Sequence, residues 1–84
     1  MNSQDIKTTV KTFILNEYLP GEDPSALTED TPLMTTGILN SIEVLKVVMF
    51  LENQFGITIT PRESGVENLN TLSDIVRLVM SKKA

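Results

Sequence analysis

A chain of 84 residues suffices for one compact domain and not for two, so residues 1–84 are read as a single unit. It has no cysteine and no histidine, which removes disulfides, a thiolate nucleophile, the commonest metal ligand and the usual proton-transfer side chain. Seven basic against eleven acidic residues, a net charge of −4, do not make the basic stripe that nucleic acid requires.

No stretch approaches the ~20 apolar residues of a membrane span, and MNSQDIKTTV is not a basic-then-apolar secretory signal. A soluble, cytoplasmic protein is expected. The first predicted element is a helix from about Gln4 to Tyr18, because Ile6, Val10, Phe13 and Ile14 recur at helical spacing. Pro20-Gly21 should end it, since proline cannot continue the hydrogen-bond ladder and glycine accepts unusual backbone angles.

A long polar connection follows, up to about Asn40. Pro24, Thr31-Pro32 and Gly37 punctuate it, and Leu27, Leu33, Ile38 and Leu39 are available to pin it to a core. Glu17, Glu22, Asp23, Glu29 and Asp30 fall within fourteen residues that contain no Lys or Arg. Such a run reads as a solvated acidic loop.

The second helix is expected from Ser41 to Phe55, closed by Gly56. On a helical wheel Val44, Leu45, Val48, Leu51 and Phe55 form the buried side, with Val47 at its margin. Glu43, Lys46, Met49, Asn53 and Ile42 lie opposite. Ile57-Thr58-Ile59 is too short for a strand of its own and reads as an extended linker. Thr60-Pro61-Arg62-Glu63 is a capping box with proline at the first helical position, opening a short helix that Gly65 should stop. The last helix begins near Thr71, buries Leu72, Ile75, Val76 and Val79, and carries Lys82 and Lys83 at its C-terminal end. The fold class is all-α: a small bundle of three main helices and one short one, with a long loop between the first and second.

Little in this chain suits catalysis. Its carboxylates are scattered singly or lie in the loop, with no facing pair, no Gly-rich phosphate loop and no metal-ligand spacing. No catalytic and no metal-binding residue is assigned. Ser41 stands out by position. On residue types alone it has two readings, since Asn40 and Glu43 are suited to cap the helix. It is either a polar residue of the first turn or a hydroxyl held out for modification.

GILNSIEVLKVVMFLENQFGI resembles the core of an acyl or peptidyl carrier protein, in which a glycine-containing loop leads to an Asp-Ser-Leu type motif and an apolar helix ending in Phe-Gly. The resemblance spans nearly the whole chain. The motif alone is short, and its context from Thr31 to Ile75, with the TPL loop and the closing TLSDIV in order, carries the likeness. It implies that Ser41, flanked by Asn40 and Ile42, accepts 4′-phosphopantetheine from coenzyme A. It further implies a carrier that is not itself an enzyme, working as a monomer. Its partners would be a phosphopantetheinyl transferase, an adenylating enzyme that loads the arm, and downstream modifying or condensing enzymes.

Physical chemistry agrees with the likeness. A phosphodiester at Ser41 would lie at a helix N-terminus, where free N–H groups and the dipole favour an anion. Gly37 lets the loop bend away, and the arm would bring the thiol that the chain lacks. Two departures from the family pattern stand out. Asn40 replaces the usual aspartate, and Lys46, Asn53 and Gln54 dilute the acidic face of fatty-acid carriers while Ile42 and Met49 add apolar surface. That face is closer to free-standing carriers of amino acids or special acyl units. Ile42, Glu43, Lys46 and Met49 would meet the partner enzymes, with Ile38 and Leu39 shaping the loop beside the arm. The alternatives are a fatty-acid or polyketide carrier and, from another class, an unmodified helical adaptor.

Overall fold

The computed structural model describes residues 2–18, 21, 27–35 and 37–83. Helix α1 spans Ser3–Tyr18. It begins one residue earlier than the periodicity suggests because the Asn2 side chain accepts from the Asp5 N–H at 2.9 Å and caps it. Ile6, Val10 and Ile14 are buried, and Phe13, half-buried, stacks on Phe50 with ring centroids 4.0 Å apart. Gly21 takes a left-handed φ of 85°, as expected of a residue past the helix end. Pro20, Glu22, Asp23 and Pro24 lie outside the described residues.

Leu27, Leu33 and Leu39 anchor the connection to the core, as their apolar character demands. Glu17, Glu29 and Asp30 are exposed, and Glu29 pairs with Lys7 of α1. The loop is also tied to the far end of the chain, where the Ser73 N–H donates to the Glu29 carbonyl at 3.2 Å.

Helix α2 runs Ser41–Phe55 with Asn40 as N-cap and Gly56, φ 65°, as a left-handed C-cap. Its buried side differs from the expected one. Val47 is fully buried, whereas Leu45 is 59% exposed. The buried arc is Val44, Val47, Val48, Leu51 and Phe55, and Leu45 lies beyond its edge. Wheel position locates an arc but not its cover: Leu45 borders a hollow whose other wall includes the short turn Pro61–Ser64, which leaves it exposed.

After Gly56 the chain has no regular secondary structure from Ile57 to Ile59, and no strand occurs among the described residues. Pro61–Ser64 forms one turn of 3-10 helix with the full capping box between Thr60 and Glu63. Gly65, in extended conformation, stops it. A further turn, α3 at Val66–Leu69, comes next and was not separable in the sequence. Helix α4, Leu72–Lys83, packs against α1 and α3. Leu78 is buried with Leu72, Ile75 and Val79, while Val76, expected in the stripe, is only half-buried.

Candidate functional site

Ser41 is the first residue of α2, one position after the cap. The Asn40 Oδ1 accepts from the Glu43 N–H at 2.9 Å, and Glu43 Oε1 accepts from the Asn40 N–H at 3.0 Å. Ser41 takes no part in this box and its side chain is exposed. The N–H groups of the first helical turn have no acceptor within the helix, so an anion on the Ser41 oxygen would meet donors and the positive dipole end, worth ~0.3–1 kcal/mol.

Two hollows meet at this residue. One, of about 410 Å³, runs along α2 past Leu45, Val48, Met49 and Glu52, with Ile59, Thr60 and Pro61 as its far wall. The other, of about 520 Å³, lies between the loop residues Met34, Gly37 and Leu39 and the short turn at Ser64. Ser41, Val44 and Ser64 border both. Helical geometry explains the first: at 100° per residue, Ser41, Leu45 and Glu52 fall on one strip of α2, with Met49 and Ile42 beside it. Glu52 also fixes the far wall, since its Oε2 accepts from the Ile59 N–H at 2.9 Å.

The proposed contact residues occupy distinct places. Met49, 54% exposed, lies with Leu45 along the flank of the first hollow, while Ile42, 67% exposed, follows Ser41 in the chain and does not line it. Lys46 is exposed on the side of α2 away from the core. Glu43 is half-buried, its carboxylate engaged in the cap and its carbonyl facing the Tyr18 hydroxyl, which donates at 3.4 Å. Burial, and then the Glu43 and Glu17 carboxylates, raise the Tyr18 hydroxyl above its ordinary pKa, which keeps it a neutral donor. Ile38 is half-buried and Leu39 buried, so they shape the loop from within.

Leu45, Ser64 and Pro61 border the hollow without having been expected there: the sequence placed Leu45 on the buried side of the helix and Pro61 at a helix start. Leu45 was within reach, being four residues after Ser41 and therefore on its face. The other two come close only through tertiary packing. No group of three or more metal-ligating side chains occurs among the described residues, and no described helix is long and apolar enough to cross a membrane.

Comparison with known proteins adds a second line. Residues 16–79 match the family described as the phosphopantetheine attachment site. The D-alanyl carrier protein of Streptococcus suis (strain 05ZYH33) is 35% identical over 72 residues, which cover 86% of this chain and 87% of the relative. That of strain 98HAH33 is 32% identical over the same share of each. The D-alanyl carrier protein of Lactococcus lactis subsp. lactis (strain IL1403) is 32% identical over 71 residues, 84% of this chain and 90% of the relative.

Proposed function

The chain belongs to the phosphopantetheine-attachment family of free-standing carrier proteins, and from that premise we propose that Ser41 bears the arm and that the cargo is an activated amino acid, D-alanine first among candidates. The observation that carries the reading is the exposed position of Ser41 at the first residue of α2, outside the capping box and between two hollows. The arm, once attached, supplies the terminal thiol on which cargo is held as a thioester, in a chain that has no cysteine.

The chain's own residues attach, orient and present. In the attachment reaction the Ser41 oxygen forms a bond to the phosphorus of coenzyme A that carries the pantetheine. The pyrophosphate P–O bond breaks, adenosine 3′,5′-bisphosphate leaves, and the serine proton passes to a base of the transferase. Asn40 and Glu43 keep the helix start rigid, so the new phosphodiester meets the free N–H groups of the first turn. Ile42, Leu45 and Met49 give partner enzymes an apolar footprint, with Lys46 at its border. The transferase, an adenylating enzyme and a downstream acceptor enzyme use this surface in turn. The carrier contributes no catalytic group and acts as a single-domain monomer in the cytoplasm, where coenzyme A and ATP are at hand.

The surface position of the first hollow favours a small cargo over a long acyl chain. Its walls Leu45 and Met49 are more than half exposed, while Val47 and Leu51 fill the interior behind them. The test is intact mass after incubation with coenzyme A and a broad-specificity phosphopantetheinyl transferase. Wild type gains one phosphopantetheine and Ser41→Ala gains none. Absence of the gain in wild type refutes the reading.

A further inference from the structure

The loop that delivers Ser41 is held by a residue at the opposite end of the chain. Asn70, between α3 and α4, binds three successive N–H groups of the loop. Its backbone carbonyl accepts from Leu33 at 2.5 Å, and its side-chain Oδ1 accepts from Met34 at 3.0 Å and from Thr35 at 3.2 Å. Its own N–H donates to the Val66 carbonyl at 3.2 Å, which fixes it to α3. All three loop groups are donors, so only the amide oxygen can face Met34 and Thr35.

The restraint is relayed onward. Leu33 is buried and held from both sides: its N–H by Asn70, its carbonyl by the Leu39 N–H at 2.8 Å. Leu39, also buried, immediately precedes the cap Asn40, and Ser41 follows. Between them Gly37 turns the chain with φ 81°, its N–H donating to the Met34 carbonyl at 3.2 Å. Two backbone hydrogen bonds therefore join the junction of α3 and α4 to the start of α2. Met34, Gly37 and Leu39 are also the loop wall of the second hollow beside Ser41.

We propose that Asn70 is a positioning residue for the attachment reaction, its side-chain oxygen setting the loop at Met34 and Thr35 that an incoming transferase must engage beside Ser41. The inference rests on Ser41 being the attachment point. Among the described residues Asn70 makes no hydrogen bond with Ser41, so its effect belongs to the productive docking of the carrier. A small displacement of a docked reactant is costly, up to ~100-fold for ~1 Å.

Initial rates of phosphopantetheine transfer should be measured for wild type, Asn70→Ala, Asn70→Asp and Thr71→Ala, each checked by circular dichroism to be folded at the assay temperature. Asn70→Asp keeps an acceptor oxygen, whereas Thr71→Ala removes the hydroxyl that caps α4 next door and leaves the loop acceptors alone. The expected result is a fall of about tenfold or more in kcat/KM for the carrier with Asn70→Ala, with the KM for coenzyme A unchanged. Asn70→Asp and Thr71→Ala should stay within about threefold of wild type. Amide exchange at Met34 and Thr35 should quicken in Asn70→Ala while α2 stays protected. If Asn70→Ala does not fold, Asn70→Gln takes its place, since the longer side chain displaces the acceptor.

Unchanged transfer to Asn70→Ala overturns the proposal, as does a loss in Asn70→Asp as large as in Asn70→Ala. An equal loss in Thr71→Ala also overturns it, by showing a general effect of destabilisation. Failure of wild type to accept the arm at all refutes the attachment reading instead, so the two failures are distinct.

Discussion

Lys82, in the last turn of α4, reaches the Glu63 carboxylate at 2.6 Å, and Glu63 in turn caps the turn Pro61–Ser64 that walls the groove beside Ser41. The neighbouring Lys83 donates to the Phe55 carbonyl at the end of α2. Two adjacent lysines of α4 thus hold the end of α2 and the turn that walls the groove. Hydrogen bonding from Lys82 and then from the Thr60 backbone lowers the Glu63 carboxyl from the ordinary 4.5 to about 2.

This pair predicts an acid-labile stability. A carboxyl with a lowered folded-state pKa contributes stability above its unfolded value, and the contribution is lost as pH falls toward the folded value. The window is therefore about pH 4.5 to about 2. Thermal unfolding of wild type and Glu63→Gln should differ at neutral pH, with wild type more stable, and the difference should shrink through this window. Glu29, lowered by its hydrogen bond and charge attraction to Lys7, adds loss in the same direction. Both pairs are solvent-accessible, so added salt should narrow the difference.

The cap at Asn40 separates stability from recognition. Asn40→Ala removes an acceptor for the Glu43 N–H and should cost ~1 kcal/mol in thermal or urea unfolding. Asn40→Asp keeps the acceptor, so stability should change by less than ~0.5 kcal/mol. It restores the charge that the family pattern places before the serine. Transfer of phosphopantetheine to Asn40→Asp should be faster than to wild type, read from initial rates by intact mass.

Leu45 and Leu51 offer one chemical change with opposite consequences. Leu51 is fully buried, and Leu51→Ala should cost ~2–5 kcal/mol of stability. Leu45 is 59% exposed, and Leu45→Ala should leave unfolding nearly unchanged. Its effect should fall instead on loading: kcat/KM of the adenylating enzyme for the modified carrier should drop by about fivefold or more, the size of a ~1 kcal/mol contact. The reverse pattern would assign Leu45 to the core.

The sequence disclosed elements whose signals are local. Both ends of α2 followed from Asn40, Glu43 and Gly56, and the Thr60–Glu63 box from its own spacing, because capping involves residues three or four apart. What failed to show depends on neighbours distant in the chain. Leu45 is 59% exposed and Val47 fully buried because of what packs on either side of α2, which helical spacing alone does not show. The loop's hold on Asn70 joins residues 35 and 36 positions apart, and no periodicity announces such a bond. Ser41 was found through the order of motifs around it, while the hollows that meet there became visible only in three dimensions.

The most direct test is to locate the arm. Protein incubated with coenzyme A and transferase should be digested and its peptides sequenced by tandem mass spectrometry. One phosphopantetheine is expected, on the peptide containing Ser41 and on that hydroxyl alone, with the same treatment leaving Ser41→Ala unmodified. An arm on another hydroxyl, such as Ser64 across the hollow, or on none, would contradict it.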